Sequence, residues 1–293
     1  MTAIKLQYLI KFLIWVSAAV ALIYSVICIF LFFEQSKFIF FPSSIIETTP
    51  SAFNLQYEEI WVPVCVGKGR VEHIHGWWIE ASSPNAKVVL YLHGNGINIG
   101  ANVERANRFH KLGFSVLLID YRGYGRSEGG FPQETSVYQD AEAIWNYLIQ
   151  LHIPPNQIFI YGHSLGGAIA INLALEHPDA AGLIVESSFT SIRELITYRN
   201  NFWMFPVDLI LIQRFESIKK VPNLKMPVLF IHGMADFIVP TNMSQSLYDL
   251  AHEPKKLLFV PGAGHNNVAE LEPVKYQQVI QSFVNSISIS HKD

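Results

Sequence analysis

The sequence predicts a three-layer α/β fold, a mostly parallel central sheet with helices on both faces. Three observations predict it. Short apolar runs at 87–92, 115–119, 157–161, 182–185, 228–231 and 256–260 are too brief for helices and read as strands buried on both sides. Segments with apolar residues at helical spacing, at 103–111, 137–151 and 166–176, lie between several of these runs, which is the βαβ rhythm. Residues able to do chemistry stand just after the strands. Right-handed crossovers bring all those strand ends to one edge of the sheet, where ligands bind.

Each remaining element has its own signal. Strands at 57–63 and 72–79 flank Gly67-Lys68-Gly69 and read as a hairpin. A helix at 271–286 closes the chain. The 293 residues carry 50% hydrophobic and only 15% charged side chains, with a formal net charge of −3. That composition supports one large α/β domain, and with no basic face it excludes a nucleic-acid partner. Cys28 and Cys65 sit in such different surroundings that no bridge between them is expected.

From Phe12 to Phe33 no residue is charged. A helix over about 12–33 covers roughly 30 Å of hydrocarbon. The run is too long for a secretory h-region, and Phe32-Phe33-Glu34 is not a small-x-small cleavage site. The expected organisation is a membrane anchor at 1–37 and a catalytic domain at 38–293. Lys5 and Lys11 before the span, against Lys37 after it, favour a cytoplasmic N-terminus with the catalytic domain on the opposite side.

The nucleophile is read from Gly162-His163-Ser164-Leu165-Gly166. A strand at 157–161 precedes it and an alanine-rich helix follows. The chain must reverse within a few residues there, leaving Ser164 strained at the tip, and side chains at the flanking glycines would clash. A phosphate loop would need a lysine after the glycines, and none is present. In this context the motif predicts an α/β-hydrolase fold.

A serine hydroxyl needs a base. In this fold class the order along the chain is serine, acid, histidine. Of the eleven histidines, five follow Ser164. His177 closes a helix, His252 is read on a helix, His291 is terminal, and His232 is succeeded at once by Gly233. His265 remains, in Pro261-Gly262-Ala263-Gly264-His265 after the last strand. The acid that orients it is Asp236, after the strand at 228–231, with Glu186 as the competing candidate. His73 and His75, at strand spacing and without a third ligand, read as a solvent-facing pair rather than a metal site. No metal or organic cofactor is expected.

Charge developing on the substrate oxygen calls for fixed N–H donors. The candidates are the backbone N–H groups of Leu165, at a helix N-terminus, and of Asn95, in His93-Gly94-Asn95-Gly96. Asp120 and Arg122 read as braces of the next loop. The stretch at about 189–215 forms at most a short cap. It supplies Phe189, Trp203 and Phe205 as candidate substrate-binding residues beside an open, apolar site.

Phe38-Ile39-Phe40-Phe41-Pro42-Ser43 after the anchor, His93-Gly94-Asn95-Gly96, Asp120-Tyr121-Arg122-Gly123-Tyr124-Gly125, Gly162-His163-Ser164-Leu165-Gly166-Gly167, Ser188-Phe189-Thr190-Ser191 and Pro227-Val228-Leu229-Phe230-Ile231-His232-Gly233 together resemble the membrane-anchored α/β-hydrolase-domain proteins. That branch includes bud-emergence-type proteins and protein depalmitoylases. The resemblance covers nearly the whole chain and implies Ser164, Asp236 and His265 as the triad. The chain departs from the cytosolic depalmitoylases, which attach through an N-terminal cysteine cluster, by carrying a spanning helix. The expected function is hydrolysis of a carboxylic ester or thioester through an acyl-enzyme, on a lipid or an acylated protein. The alternatives are a serine peptidase or amidase, and a catalytically silent membrane scaffold or chaperone.

Overall fold

The computed structural model describes residues 3–67, 69–200 and 202–290. Eight strands form one sheet: β1 (Glu58–Cys65), β2 (Val71–Ile79), β3 (Val88–Leu92), β4 (Ser115–Ile119), β5 (Ile158–His163), β6 (Gly182–Glu186), β7 (Val228–Gly233) and β8 (Lys255–Val260). Their order across the sheet is β8-β7-β6-β5-β3-β4-β2-β1. Only β2 runs against its neighbours, pairing antiparallel with β1 and β4, while every other pair is parallel.

The central strands are apolar throughout because helices cover both faces. Leu90 and Leu92 of β3 join one buried cluster, with α3 (Glu134–Gln150) and α4 (Leu165–Glu176). The alternate residues Val89 and Tyr91 join the other, with α2 (Val103–Lys111) and the closing helix α7 (Pro273–Ser290). Period-two alternation thus feeds two cores from one run of residues.

Several element boundaries differ from expectation. Helix α3 begins at Glu134, three residues early, because the Ser136 hydroxyl and the Gln133 backbone close a capping box. The closing segment is two helices, Val268–Leu271 and α7, since Pro273 starts a helix more readily than it continues one. His252 lies beyond α6 (Thr241–Leu250) rather than on it.

The N-terminal helix α1 spans Ala3–Glu34 and is long and apolar enough to cross a membrane. It exceeds the expected 12–33 because lysines such as Lys5 and Lys11 are good helix formers and prolong it beyond the apolar run. A short helix, Ser36–Ile39, follows after one residue, and Ile39 and Phe40 are already buried in the domain. Phe41–Pro42 then pairs in parallel with Gly96–Ile97, which ties the chain leaving α1 to the loop after β3.

His75 corrects the solvent-facing reading of the His73/His75 pair. His73 is exposed and bonded to Glu128, but His75 is fully buried between Trp61 and Trp77, 4.0 Å from Asp120. The turn after β4 folds over it, with Asp120 N–H donating to the His75 carbonyl.

Candidate active site

Between β5 and α4 the chain reverses within a few residues. Ser164 has φ 55° and ψ −120°, a region a non-glycine residue enters only when its surroundings hold it there. The neighbouring glycines make this possible. A Cβ on Gly162 would stand 2.1 Å from the Gly166 carbonyl oxygen, and one on Gly166 would stand 2.1 Å from the Leu92 oxygen and 2.5 Å from the His93 oxygen. Gly166→Ala therefore forces backbone against backbone. It is expected to destabilise the fold by about 3 kcal/mol or more, seen as a lowered unfolding midpoint. An unchanged midpoint would refute the close approach.

Ser164 Oγ lies 2.9 Å from His265 Nε2, and His265 Nδ1 lies 2.6 Å from Asp236 Oδ2. One imidazole tautomer fits both, with Nδ1–H donating to the carboxylate and Nε2 accepting the serine proton. Asp236 follows β7 and His265 follows β8. The two loops are packed together at Gly233, where a Cβ would meet the carbonyls of Ala263 and Gly264 at 2.4 Å.

The Asp236 carboxylate is held from four sides. Its Oδ1 accepts from Ile238 N–H (2.7 Å) and Val239 N–H (2.9 Å). Its Oδ2 accepts from His265 and faces His232 Nε2 at 3.2 Å. Burial alone would raise this carboxyl. The hydrogen bonds from His232, His265 and Val239, with the charge of His265, outweigh it and hold the group well below the usual carboxylate range.

His232 is not marked as functional by the sequence, since Gly233 follows it at once. It is fully buried: its Nδ1 accepts from Ser244 Oγ at 2.6 Å, and its Nε2–H donates to the Val239 carbonyl at 3.0 Å. The cue was the four-residue spacing to Asp236. Glu186, the competing acid, points into the opposite core, where Tyr161 and Tyr276 donate to its Oε2 at 2.9 and 2.7 Å.

His163 is a second residue whose role the sequence does not mark. Its Nε2–H donates to the His265 carbonyl at 3.0 Å and steadies that loop. Burial holds His163 well below its ordinary value, with Arg105 and His265 adding to the effect. Burial also lowers His93, against the pull of Asp120. An unfolded histidine titrates near 6.5. Below that pH the unfolded chain binds protons that these two buried rings refuse, so stability is lost as pH falls. Asp140, pushed up to about 6 by burial despite Arg122, works in the opposite direction with a smaller effect. The thermal midpoint is expected to be lower at pH 5.5 than at pH 7.5. Equal midpoints would contradict proton exclusion from these sites.

Asn95 and Leu165 lie beside Ser164 in one cavity of about 390 Å³. The Leu165 N–H is the first of α4 and has no partner within the helix. Asn95 is clamped by its own backbone and side chain. Its carbonyl accepts from Phe41 N–H and Tyr124 O–H, each at 2.8 Å, and its Nδ2 donates to the Ile39 carbonyl. Asp120 and Arg122 face elsewhere. Asp120 accepts from Ile99 N–H, and Arg122 binds Asp140 and Gln139.

The cavity walls are apolar. They come from Phe189, Phe205 and other cap residues, from α5 (Ile192–Arg199), and from Leu31, Gln35, Phe38 and Phe41 around the end of α1. Among the described lining residues Arg199 alone is charged. Trp203 does not line this cavity. It is 74% exposed and borders a separate surface depression, because the turn at 202–205 directs it outward while Phe202 and Phe205 face in.

The fold and this edge define an α/β hydrolase. The family model described as Hydrolase_4, serine aminopeptidase S33, matches residues 83–216. The chain is 31% identical over 287 residues to the bem46 protein of Schizosaccharomyces pombe, covering 92% of each. It is 35% identical over 231 residues to the lysophosphatidylserine lipase ABHD12 of Danio rerio, covering 70% of this chain and 59% of that one. Among solved structures, an esterase of Pyrococcus furiosus superposes with a TM-score of 0.69 at 19% identity, covering 85% of this chain and 97% of that one. The chain belongs to the family of α/β-hydrolase-domain proteins that includes bem46.

Proposed function

We propose that this hydrolase cleaves a carboxylic ester or thioester bearing an acyl chain, with Ser164 as nucleophile, His265 as base and Asp236 as the group that orients it. The observation that carries the reading is the hydrogen-bonded run from Ser164 Oγ through His265 to Asp236, opening onto an apolar cavity. His265 Nε2 takes the serine proton as Oγ attacks the carbonyl carbon. The N–H groups of Leu165 and Asn95 receive the oxyanion. Collapse expels the alcohol or thiol, which takes its proton from His265, and a water activated by the same imidazole frees the acid. Phe189 and Phe205 line the path of the acyl chain. No step calls for a metal or organic cofactor.

The lipase among the relatives and the apolar lining favour an ester of lipid character. An aminopeptidase would need an acidic group to receive a free amine. Among the described residues lining the cavity the one charged group is Arg199, of the wrong sign. We place the N-terminus on the cytoplasmic side and the catalytic domain opposite, from Lys5 and Lys11 before the span.

The test is labelling of the full-length protein in detergent with a fluorophosphonate, alongside a panel of esters and thioesters of graded chain length. Labelling of the wild type that disappears in Ser164→Ala supports the reading. A folded wild type that neither labels nor turns over any member of the panel removes it and leaves a scaffold.

A further inference from the structure

Helix α1 grips the cap more closely than a tether requires. Gln35 is buried. Its Oε1 accepts from the N–H groups of Ile212 (2.8 Å) and Gln213 (2.9 Å), while its Nε2 donates to the Ile210 and Phe32 carbonyls at 3.1 and 2.7 Å. Further back along the helix, Tyr24 O–H donates to the Met204 carbonyl at 2.8 Å, and its ring stacks on Phe205 with centroids 5.7 Å apart. From Tyr24 to Gln35 a helix advances about 16 Å, roughly half the hydrocarbon thickness of a bilayer. The cap therefore lies along the last three turns of the apolar span rather than above its end.

At that depth, backbone polar groups have no water to turn to. The side chains of Tyr24 and Gln35 supply partners to four of them on the irregular cap segment. The cap's outward face is apolar, with Met204 and Ile212 exposed and Leu209 81% exposed. Its polar edge is the Arg193–Asp208 ion pair. On the inner side, Leu31 of the same helix and Gln35 just beyond its end meet Phe205 and Ile210 of the cap around the cavity that holds Ser164.

We infer that the cap is immersed in the leaflet next to the catalytic domain, and that the substrate is a lipid ester resident in that leaflet. Its acyl chain passes sideways from the bilayer, between α1 and the cap, to Ser164. Helix α1 is then a wall of the acyl site as well as an anchor. The chemistry rests on the serine-hydrolase reading, whereas the immersion of the cap does not.

Two measurements on the full chain, reconstituted in phosphatidylcholine vesicles, keep these apart. In a Cys28→Ala/Cys65→Ser background, an environment-sensitive dye on Leu209→Cys is expected to be strongly quenched by lipids carrying a nitroxide on the acyl chain. The same dye on Gln150→Cys, at the exposed end of helix α3, is not. Equal quenching at the two positions, or none at 209, overturns the proposal and leaves this face for a protein partner. For activity, Met204→Glu/Leu209→Glu is expected to slow hydrolysis of mono-oleoylglycerol in the vesicles at least tenfold. Hydrolysis of water-soluble p-nitrophenyl butyrate should stay within twofold of wild type. Parallel loss on both esters, or none on either, overturns lateral entry. A wild type inactive on both esters and unlabelled by the fluorophosphonate counts against the serine-hydrolase reading, and the quenching still decides where the cap lies.

Discussion

Replacing Ser164 with alanine is expected to lower kcat on a short ester by about 10⁴-fold or more while the protein keeps its fold. The hydroxyl is the only atom group removed, and no neighbouring backbone depends on it. The strained turn is held by the Ser164 main chain, whose N–H donates to the Glu186 carbonyl and whose carbonyl accepts from Ser188 Oγ. What remains is whatever rate the N–H groups of Leu165 and Asn95, as proposed oxyanion donors, and the apolar cavity support with water as nucleophile. His265→Ala is expected to fall by a similar factor, because the two residues act as one unit. The combined variant should be hardly slower than either alone. The check is kcat for the three variants with matched unfolding midpoints, and a loss under tenfold in either single variant rejects the assigned role.

Asp236→Asn is expected to cost about 10⁴-fold in kcat. The amide keeps the size of the carboxylate but presents donors as well as an acceptor. Three of the four groups around Asp236 are N–H donors: Ile238, Val239 and His232, whose Nε2–H is shared with the Val239 carbonyl. An asparagine cannot accept from all of them and from His265 too. If its NH₂ turns toward His265, the imidazole shifts to the tautomer with its proton on Nε2, facing Ser164. The loss should shrink as pH is raised and hydroxide takes over as base, a profile that simple loosening of the loop would not produce. A pH-independent loss would indicate misplacement rather than the wrong tautomer.

The sheet was readable because each central strand is buried on both faces, so Val88–Leu92 and Ser115–Ile119 carry no polar residue after their first position. The meeting of positions 164, 236 and 265 at one edge could be anticipated from the same pattern, since parallel strands point their ends one way. What lies around those residues was less legible. The support of Asp236 by His232 depends on how tightly the turn at 233–236 closes, and a glycine after a strand looks alike in many contexts. His75 is buried by a turn that sequence periodicity does not register. In the cap, Phe202, Trp203 and Phe205 are chemically alike, and only the turn geometry sends Trp203 outward and the other two inward. The cap's grip on α1 is invisible in sequence because it runs through main-chain groups of residues more than 170 positions away from Gln35.

The join between α1 and the domain has almost no slack: one residue separates the end of α1 from the helix Ser36–Ile39, and Ile39 and Phe40 are already packed in the core. A chain joined this way cannot swing out into bulk solution and back. Once α1 is seated in a bilayer, the cavity that holds Ser164 stays at a fixed height and patrols a plane. Its saturation should then follow the mole fraction of ester in that plane, and diluting the vesicles at constant lipid composition should leave the turnover number of each enzyme unchanged.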